Sequence, residues 1–416
     1  MKTTVSAIIL CFSVSGCGGG EPAATGKPGK PAQHGAVDGA VGDGCDALEL
    51  APPETGVQLF TEMTLGPGEE RQTCKLVMTG QDINLNYGEG IFTPGSHHAT
   101  VWRTSHTDTI PTQNIVGQMV DATEAADCSS PGDWNGTGVI AAGRSASSTV
   151  NGPDALKNAL PSDVAFKIGG NEVLLLNFHM INTGTEPIHA CYKQNLPSIP
   201  DSQVKSEAGL MFFYNQFIAV PASGDSKADL ACPVTEDISV ATAVSHMHRR
   251  GNGYNATLYD GDPSQGGNVV QTLYDSPEWD EPSVKVFDSP LSFKAGQWIR
   301  FACSYHNSED RDVAQGQQTT DEMCMFVGAY WPRNAGWEQC GYNGAGRNFG
   351  NGTMDGAQFL DCWNNSSKTT FGGGPSSSAA RYSSQRCVTE SCPKVSVLAN
   401  DYIYRAKPDI ATATCD

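Results

Sequence analysis

The chain has 416 residues, fourteen cysteines and a formal net charge of −19, from 26 basic and 45 acidic side chains. At roughly 100–200 residues per domain, this length predicts two or three domains. The acidic balance and the lack of a basic stripe argue against nucleic acid as a partner. Because the cysteines are numerous and form no CxxC pair, they indicate disulfides and an exported protein rather than a cytosolic one.

The N-terminus has the pattern of an export signal. Lys2 provides a positive charge, and the apolar run at 5–14 is shorter than the about 20 residues of a membrane span. The sequence Val14-Ser15-Gly16-Cys17 resembles the lipobox of bacterial lipoproteins. The resemblance implies a signal peptide at 1–17 and a lipid on Cys17. The protein would then be an exported lipoprotein, facing the periplasm or the cell exterior, whose contact with the membrane is through the lipid anchor alone. An ordinary secretory signal is the alternative.

The remainder of the chain divides by composition. Residues 18–44 hold almost no large apolar side chain, which predicts a flexible linker. From Cys45 onward, strand-length apolar runs such as 172–181, 209–214 and 238–248 are bounded by Gly, Pro, Asn and Asp. This pattern predicts an all-β protein built of sandwiches or barrels.

Two changes in composition divide this β-rich part, one near 215–222 and one near 342–357. They predict domains at 45–215 and 216–345, followed by a tail at 346–416 that forms a small disulfide-rich segment. Beyond the two N-terminal cysteines at 11 and 17, the even number of twelve predicts six disulfides, whose pairing the sequence leaves open. Four of the twelve cysteines lie in the tail: Cys362, Cys387, Cys392 and Cys415.

Five histidines occupy positions that suit a metal. His246 and His248 are two apart, so on a strand they project from one face and can bind one ion. His97 and His98 are adjacent and could share an ion only where the backbone is irregular, which Pro94-Gly95 favours. His179 lies on the apolar run at 172–181. We interpret the remaining four histidines as structural or surface residues: His34, His106, His189 and His306.

A sulfur ligand would distinguish copper from zinc. The segment Asp321-Glu322-Met323-Cys324-Met325 places two methionines on one face of a strand. A methionine in a strand is ordinarily a core residue. A thioether beside imidazoles, however, favours Cu(I) over zinc.

In combination, the ordered motifs HH, a His-bearing apolar strand, GLMFFY, HMHRRG and EMC resemble the copper type II, ascorbate-dependent monooxygenases. Peptidylglycine α-hydroxylating monooxygenase and dopamine β-monooxygenase belong to this family, and the match covers roughly residues 45–345. The resemblance implies two tandem jelly-roll-like β-sandwich domains, each with one copper, separated by a solvent-filled cleft.

Carried over position by position, the resemblance implies two copper sites. The first would be held by His97, His98 and His179, and the second by His246, His248 and Met323. Met323 is preferred to Met325 because it immediately precedes the cysteine. The catalytic role would fall to the second site, where O₂ reacts, while the first stores an electron from ascorbate or another one-electron donor.

The resemblance also implies four disulfides and an altered substrate pocket. The implied pairs are Cys45–Cys191, Cys74–Cys128, Cys232–Cys340 and Cys303–Cys324. Where the peptide-hydroxylating members bind a peptide carboxylate with Arg, Asn and Tyr, this chain has Val244, Met325 and Val327. A less polar small molecule with an activated C–H bond is therefore the expected substrate.

Three hypotheses follow for the function. The first is hydroxylation of an aliphatic C–H bond of a small organic substrate by O₂, two copper ions and a one-electron reductant such as ascorbate. The second is a non-catalytic copper-binding surface lipoprotein on the same scaffold. The third is an adhesive β-rich surface protein with purely structural histidines, which the six ordered ligands disfavour.

Overall fold

A computed structural model describes the backbone of residues 45, 48–93, 96–112, 126–127, 136–143, 159–182, 184–215, 218–279, 282–315, 321–338, 340 and 347–348. The N-terminal signal, the linker and nearly all of the tail lie outside these residues. The strands of the first half are β1 Gly56–Leu65, β2 Glu70–Met78, β3 Ile83–Leu85, β4 Glu89–Phe92, β5 Ser96–Thr107, β6 Ala126–Asp127, β7 Gly136–Gly143, β8 Val164–Ile168, β9 Glu172–Ile181, β10 Ile188–Pro197 and β11 Ser206–Glu207. Those that follow are β12 Gly209–Tyr214, β13 Ala219–Val220, β14 Gly224–Pro233, β15 Ile238–Met247, β16 Gly251–Asp260, β17 Asn268–Ser276, β18 Lys285–Phe293, β19 Gln297–Asn307, β20 Val313–Ala314, β21 Cys324–Trp331 and β22 Arg347–Asn348.

The described residues form an all-β protein, as the sequence predicts. Helical structure in the named elements is limited to 3₁₀ turns at Asp201–Gln203 and Pro263–Gln265. None of the described helical segments is long and apolar enough to cross a bilayer. The sheets are antiparallel except for the short parallel pairing of β11 with β8.

The first half is a sandwich. Its larger sheet has the order β6-β2-β9-β5-β7, and the smaller sheets are β1-β10-β4 and β11-β8-β3. Strand β9 explains how the core forms, because its side chains alternate between two buried faces. The even-numbered residues Leu174, Leu176 and Phe178 pack in the core against β1 and β10. The odd-numbered residues, which include His179, face the other way.

The second half is another sandwich. A five-stranded sheet, β17-β16-β19-β14-β22, packs on a four-stranded sheet, β12-β21-β15-β18. Strand β12 lies before the predicted boundary at 215/216 but pairs with β21, from Gly209↔Tyr330 to Tyr214↔Met325. The run GLMFFY is therefore part of the second sandwich. Its pairing with β21 could not be predicted from the composition of the run.

Three disulfides join described cysteines, and all three are pairs implied by the family resemblance. Cys45–Cys191 closes the first half, while Cys232–Cys340 and Cys303–Cys324 lie in the second. Cys74 is also disulfide-bonded. Cys128, its expected partner, and the four tail cysteines lie outside the described residues.

The two halves meet through an apolar cluster, which we call the inter-sheet cluster. Trp102 of β5 contacts Phe212 of β12 edge-to-face, with 5.1 Å between ring centroids. The cluster takes residues from the outer face of the β2-β9-β5 sheet and from the outer face of the β12-β21-β15 sheet. Its buried members are Cys74, Trp102, Leu175, Phe212, Tyr214, Val244, Val284, Met325 and Val327. The resemblance implies a solvent-filled cleft between the domains, whereas at this place apolar side chains of the two halves are in contact.

Candidate metal centres

The second candidate site forms where β15 ends and β21 begins. In the antiparallel register His246 is opposite Met325 and Met247 is opposite Cys324. Met323 precedes the first residue of β21, so it is a diagonal neighbour of His246 on the same face of the sheet. The register thus brings His246, His248 and Met323 to one end of the sheet, although 77 residues separate His246 from Met323.

The distances at this site suit a shared metal ion. His246 Nε2 lies 3.2 Å from Met323 Sδ. Two donor atoms that bind one ion at about 2.0 and 2.3 Å are at most about 4.3 Å apart. The imidazole rings of His246 and His248 are 5.2 Å apart between centroids and nearly perpendicular. The Met323 thioether therefore stands where it can complete a two-histidine site, and this soft donor favours copper.

His248 is held in one orientation by the opposite strand. Its Nδ1 donates a hydrogen bond of 3.0 Å to the Asp321 carbonyl oxygen. This bond fixes the tautomer and directs the Nε2 lone pair away from the backbone, an arrangement common for metal-binding histidines. Burial lowers the pKa of His248 to about 4. The ring is therefore neutral at neutral pH, which is the form that binds a metal.

The first candidate site lies on the larger sheet of the other half. Strand β5 pairs with β9 so that His98 is the cross-strand partner of His179, and a register shift separates Ser96 from His98. The backbone irregularity expected near His97 is therefore present at that residue. The side chains of His97 and His98 lie outside what the structure describes. His179 is 4% exposed.

His179 has an acidic partner that the sequence did not indicate. Its Nε2 lies 2.9 Å from Glu70 Oε1 on β2. The hydrogen bond with His179 lowers the pKa of Glu70, so the carboxylate is ionised at neutral pH. A carboxylate on one nitrogen of a histidine orients the ring and raises its basicity at the other nitrogen.

The wall beside Met323 is apolar. Met323 packs against the inter-sheet cluster, whose members include Val244, Met325 and Val327. These are the three positions where peptide-hydroxylating relatives have polar or charged side chains, and here each is at most 4% exposed. The three apolar positions are thus buried in the inter-sheet cluster, which adjoins the candidate sulfur ligand.

The two candidate sites lie on the faces that meet. His179 projects from the same outer face of β9 as Leu175, and Leu175 packs in the inter-sheet cluster with Val244 and Met325. Within the described part of the chain, no cluster of three His, Cys, Asp or Glu side chains could hold a metal. The second candidate site has two histidines and a thioether, and the first depends on the two histidines whose side chains are not described.

Sequence reasoning missed three residues around these sites. Glu70 contacts His179, the carbonyl of Asp321 contacts His248, and Glu322 contacts the backbone of residues 248 and 250. Each contact spans more than 70 residues of sequence, so only strand pairing reveals it. The acidic pair before Met323 was the one available signal.

Comparison with known proteins agrees with this geometry. Residues 207–351 match the family model described as the copper type II ascorbate-dependent monooxygenase, C-terminal domain. This match supports the copper type II ascorbate-dependent monooxygenases, an enzyme family that depends on copper and ascorbate, as the family of this part of the chain. It is the family that the sequence motifs predict.

Two solved structures show weak similarity. The exported protein XepA of PBSX has 9% identity and a TM-score of 0.15, with 62% of this chain and 89% of that chain covered. PNGF-II has 7% identity and a TM-score of 0.22, with 68% and 62% covered. Scores this low do not establish a shared fold.

Proposed function

We propose that this protein is a copper-dependent monooxygenase that hydroxylates an aliphatic C–H bond of a small, weakly polar organic substrate. The main support is the contact between His246 Nε2 and Met323 Sδ beside His248, within a domain that matches this enzyme family. His246, His248 and Met323 would hold one copper. His97, His98 and His179 would hold the other.

The copper ions, when bound, supply the one-electron chemistry that activates O₂. The residues of the chain have other tasks. Burial keeps His248 neutral, the Asp321 carbonyl orients its ring, and Glu70 orients His179. The inter-sheet cluster keeps water from the side of Met323 that it covers, which limits the release of reduced oxygen.

The pocket chemistry supports a weakly polar substrate. Val244, Met325 and Val327 offer no charge and no side-chain hydrogen bond to a carboxylate. Leaving a carboxylate there without a partner would cost several kcal/mol in free energy. A peptide with a free C-terminus is therefore a poor candidate, and a small aliphatic or phenethyl compound is a better one.

The cellular setting is part of the proposal. The lipobox-like sequence at Cys17 supports an exported lipoprotein anchored by its lipid and facing the periplasm or exterior. The disulfides of the described residues suit an oxidising compartment. The partners would be the small-molecule substrate, O₂ and the reductant, with no nucleic acid.

The test is a copper and oxygen balance on the full chain. Copper per chain is measured first, and then oxygen uptake with ascorbate across a panel of aliphatic and phenethyl substrates. Hydroxylation of one C–H bond consumes one O₂, two electrons and two protons and releases one water. We expect two coppers per chain and substrate-dependent uptake in this ratio.

The rival functions give different results in the same assay. Two coppers without substrate-dependent oxygen uptake would indicate the non-catalytic copper-binding lipoprotein. The lack of stoichiometric copper would contradict both copper hypotheses and leave the histidines as structural residues.

A further inference from the structure

The side chain of Glu322 is a buried acid with no role in the proposed chemistry. It immediately precedes Met323, and it is 0% exposed. An ionised carboxylate at such a position is costly unless hydrogen bonds and an opposite charge surround it. Its position beside a candidate ligand makes its partners informative.

Both carboxylate oxygens of Glu322 bind the segment that begins at His246, which we call the ligand turn (residues 246–250). Oε2 accepts a 3.1 Å hydrogen bond from the backbone N–H of His248. Oε1 accepts a 2.9 Å hydrogen bond from the backbone N–H of Arg250. The Glu322 side chain thus accepts hydrogen bonds from two alternate residues of the ligand turn, and one of these residues is the candidate ligand His248.

The guanidinium of Arg250 completes the surroundings of this acid. Its Nη1 lies 3.4 Å from Glu322 Oε1, its Nε donates to Asn307 Oδ1 at 3.3 Å, and its Nη2 donates to Glu309 Oε1 at 2.6 Å. Burial raises the pKa of Glu322 to about 7, while the backbone N–H groups and Arg250 act in the opposite direction.

Two further bonds hold the segment that contains Glu322. The Asp321 carbonyl accepts from His248 Nδ1, as described above, and the Tyr305 hydroxyl donates to the Met323 carbonyl at 2.6 Å. Residues 321–323 are therefore bound to the ligand turn through a backbone carbonyl and a side-chain carboxylate. Met323 itself is fixed from β19.

We infer that Glu322 is a positioning residue that joins the ligand turn to the Met323 segment, so that the two imidazoles and the thioether are assembled before the metal binds. The inference rests on the proposed function only in the assignment of His246, His248 and Met323 as ligands. Without the two-oxygen contact, the ligand turn and Met323 would have to be ordered when copper binds, and that ordering would weaken the affinity.

Glu322→Gln isolates this role. A glutamine has nearly the same shape but only one acceptor oxygen, so its NH₂ group would face one of the two backbone N–H donors. The matched control is Glu309→Gln, which neutralises a second carboxylate that is paired with the Arg250 guanidinium. Glu309 is partly exposed and binds Arg249, Arg250 and Arg311 side chains rather than the backbone of the ligand turn.

The experiment measures copper binding by the full chain at pH 8. Cu(I) is titrated in competition with a chromophoric chelator, and X-ray absorption reports copper–sulfur coordination. We expect Glu322→Gln to weaken one copper about tenfold or more and to lose the sulfur signal, with the other copper unchanged. Glu309→Gln should bind both coppers as the unmodified chain does.

Several results would overturn the inference. They are unchanged affinities in Glu322→Gln, equal weakening of both coppers, an equal effect of Glu309→Gln, or no sulfur-coordinated copper in the unmodified chain. If Glu322→Gln does not fold, Glu322→Asp decides, because it keeps the charge but not the reach to both N–H groups. Selective weakening would support the role, and unchanged affinity would refute it. Two bound coppers without hydroxylation would refute the proposed enzyme and leave this inference intact.

Discussion

The two candidate metal centres are built differently on similar sheets. The first lies within two paired interior strands of a sheet, where His98 of β5 is directly opposite His179 of β9. The second lies at the end of a sheet, where the ligand turn begins in the last residues of β15 and continues beyond them, and Met323 precedes β21. Residues within paired strands are positioned by the strand ladder. A position at the end of a sheet needs bonds of its own, which Asp321 and Glu322 provide.

The side chains that surround the two centres also differ. The first centre has a carboxylate partner, Glu70, which is 42% exposed on its side chain and contacts solvent. The second adjoins the inter-sheet cluster through Met323. A centre whose partner carboxylate is partly exposed suits the entry of electrons from a soluble reductant. A centre against an apolar wall suits a weakly polar substrate. The contrast therefore supports different tasks for the two sites.

Met323→Ala gives the largest expected effect and tests whether the centres are separable. Removal of the thioether should abolish hydroxylation, because soft sulfur stabilises Cu(I) at the second site. The first copper should remain bound. Metal analysis and oxygen uptake measure the two outcomes, with the partly exposed Met78→Ala on β2 as the control. Unchanged turnover in Met323→Ala would refute the ligand assignment.

The disulfides provide a comparison in stability. Cys45–Cys191 closes a separation of 146 residues and Cys303–Cys324 one of 21. In the chain-entropy model, their removal by paired Cys→Ala substitutions costs about 5 and about 3 kcal/mol respectively. Urea unfolding measures these losses.

Removal of Cys303–Cys324 should cost less stability than removal of Cys45–Cys191, but it should weaken the second copper more, because Cys324 directly follows Met323. Copper titration of the two paired variants tests this reversal of order. A weaker second copper in the Cys45/Cys191 variant alone would contradict the independence of the two centres.

Trp102→Ala tests the contact between the halves. The indole is 7% exposed and packs against Phe212, so truncation should cost about 3 kcal/mol in the free energy of unfolding. Denaturant unfolding provides the measurement. Phe60→Ala is the matched control, because Phe60 is 48% exposed and should change stability by well under half as much. Equal losses in both variants would mean that the inter-sheet cluster does not stabilise the protein.

Glu70→Gln has the smallest expected effect and tests whether the carboxylate beside His179 acts on the first centre alone. Loss of the charge beside His179 should weaken the first copper by about tenfold, or about 1.4 kcal/mol, and leave the sulfur-coordinated copper unchanged. A competition titration resolves the two ions. An effect on the second copper of the same size would show that the acid acts on the whole inter-sheet region.

Much of the fold could be predicted from local patterns. The run at 172–181 predicts a strand and is β9, and the run at 238–248 predicts most of β15. Irregular backbone was expected near His97, and the structure has a register shift there. The partners of these strands could not be predicted. The run GLMFFY pairs with β21 more than 100 residues away, and the strand pattern alone does not encode that register.

The candidate site shows the same division. The sequence alone determined the strand character, the even number of cysteines beyond the N-terminal segment, and the two-residue spacing that places His246 and His248 on one face. These properties depend on residue type and on the period of a strand, which are local. Only the tertiary structure decided that Met323 Sδ lies beside His246, that His98 is opposite His179, and that Glu322 binds the ligand turn. Such contacts depend on the registers of distant strands, and those registers are fixed when the sheets pack around their common cores.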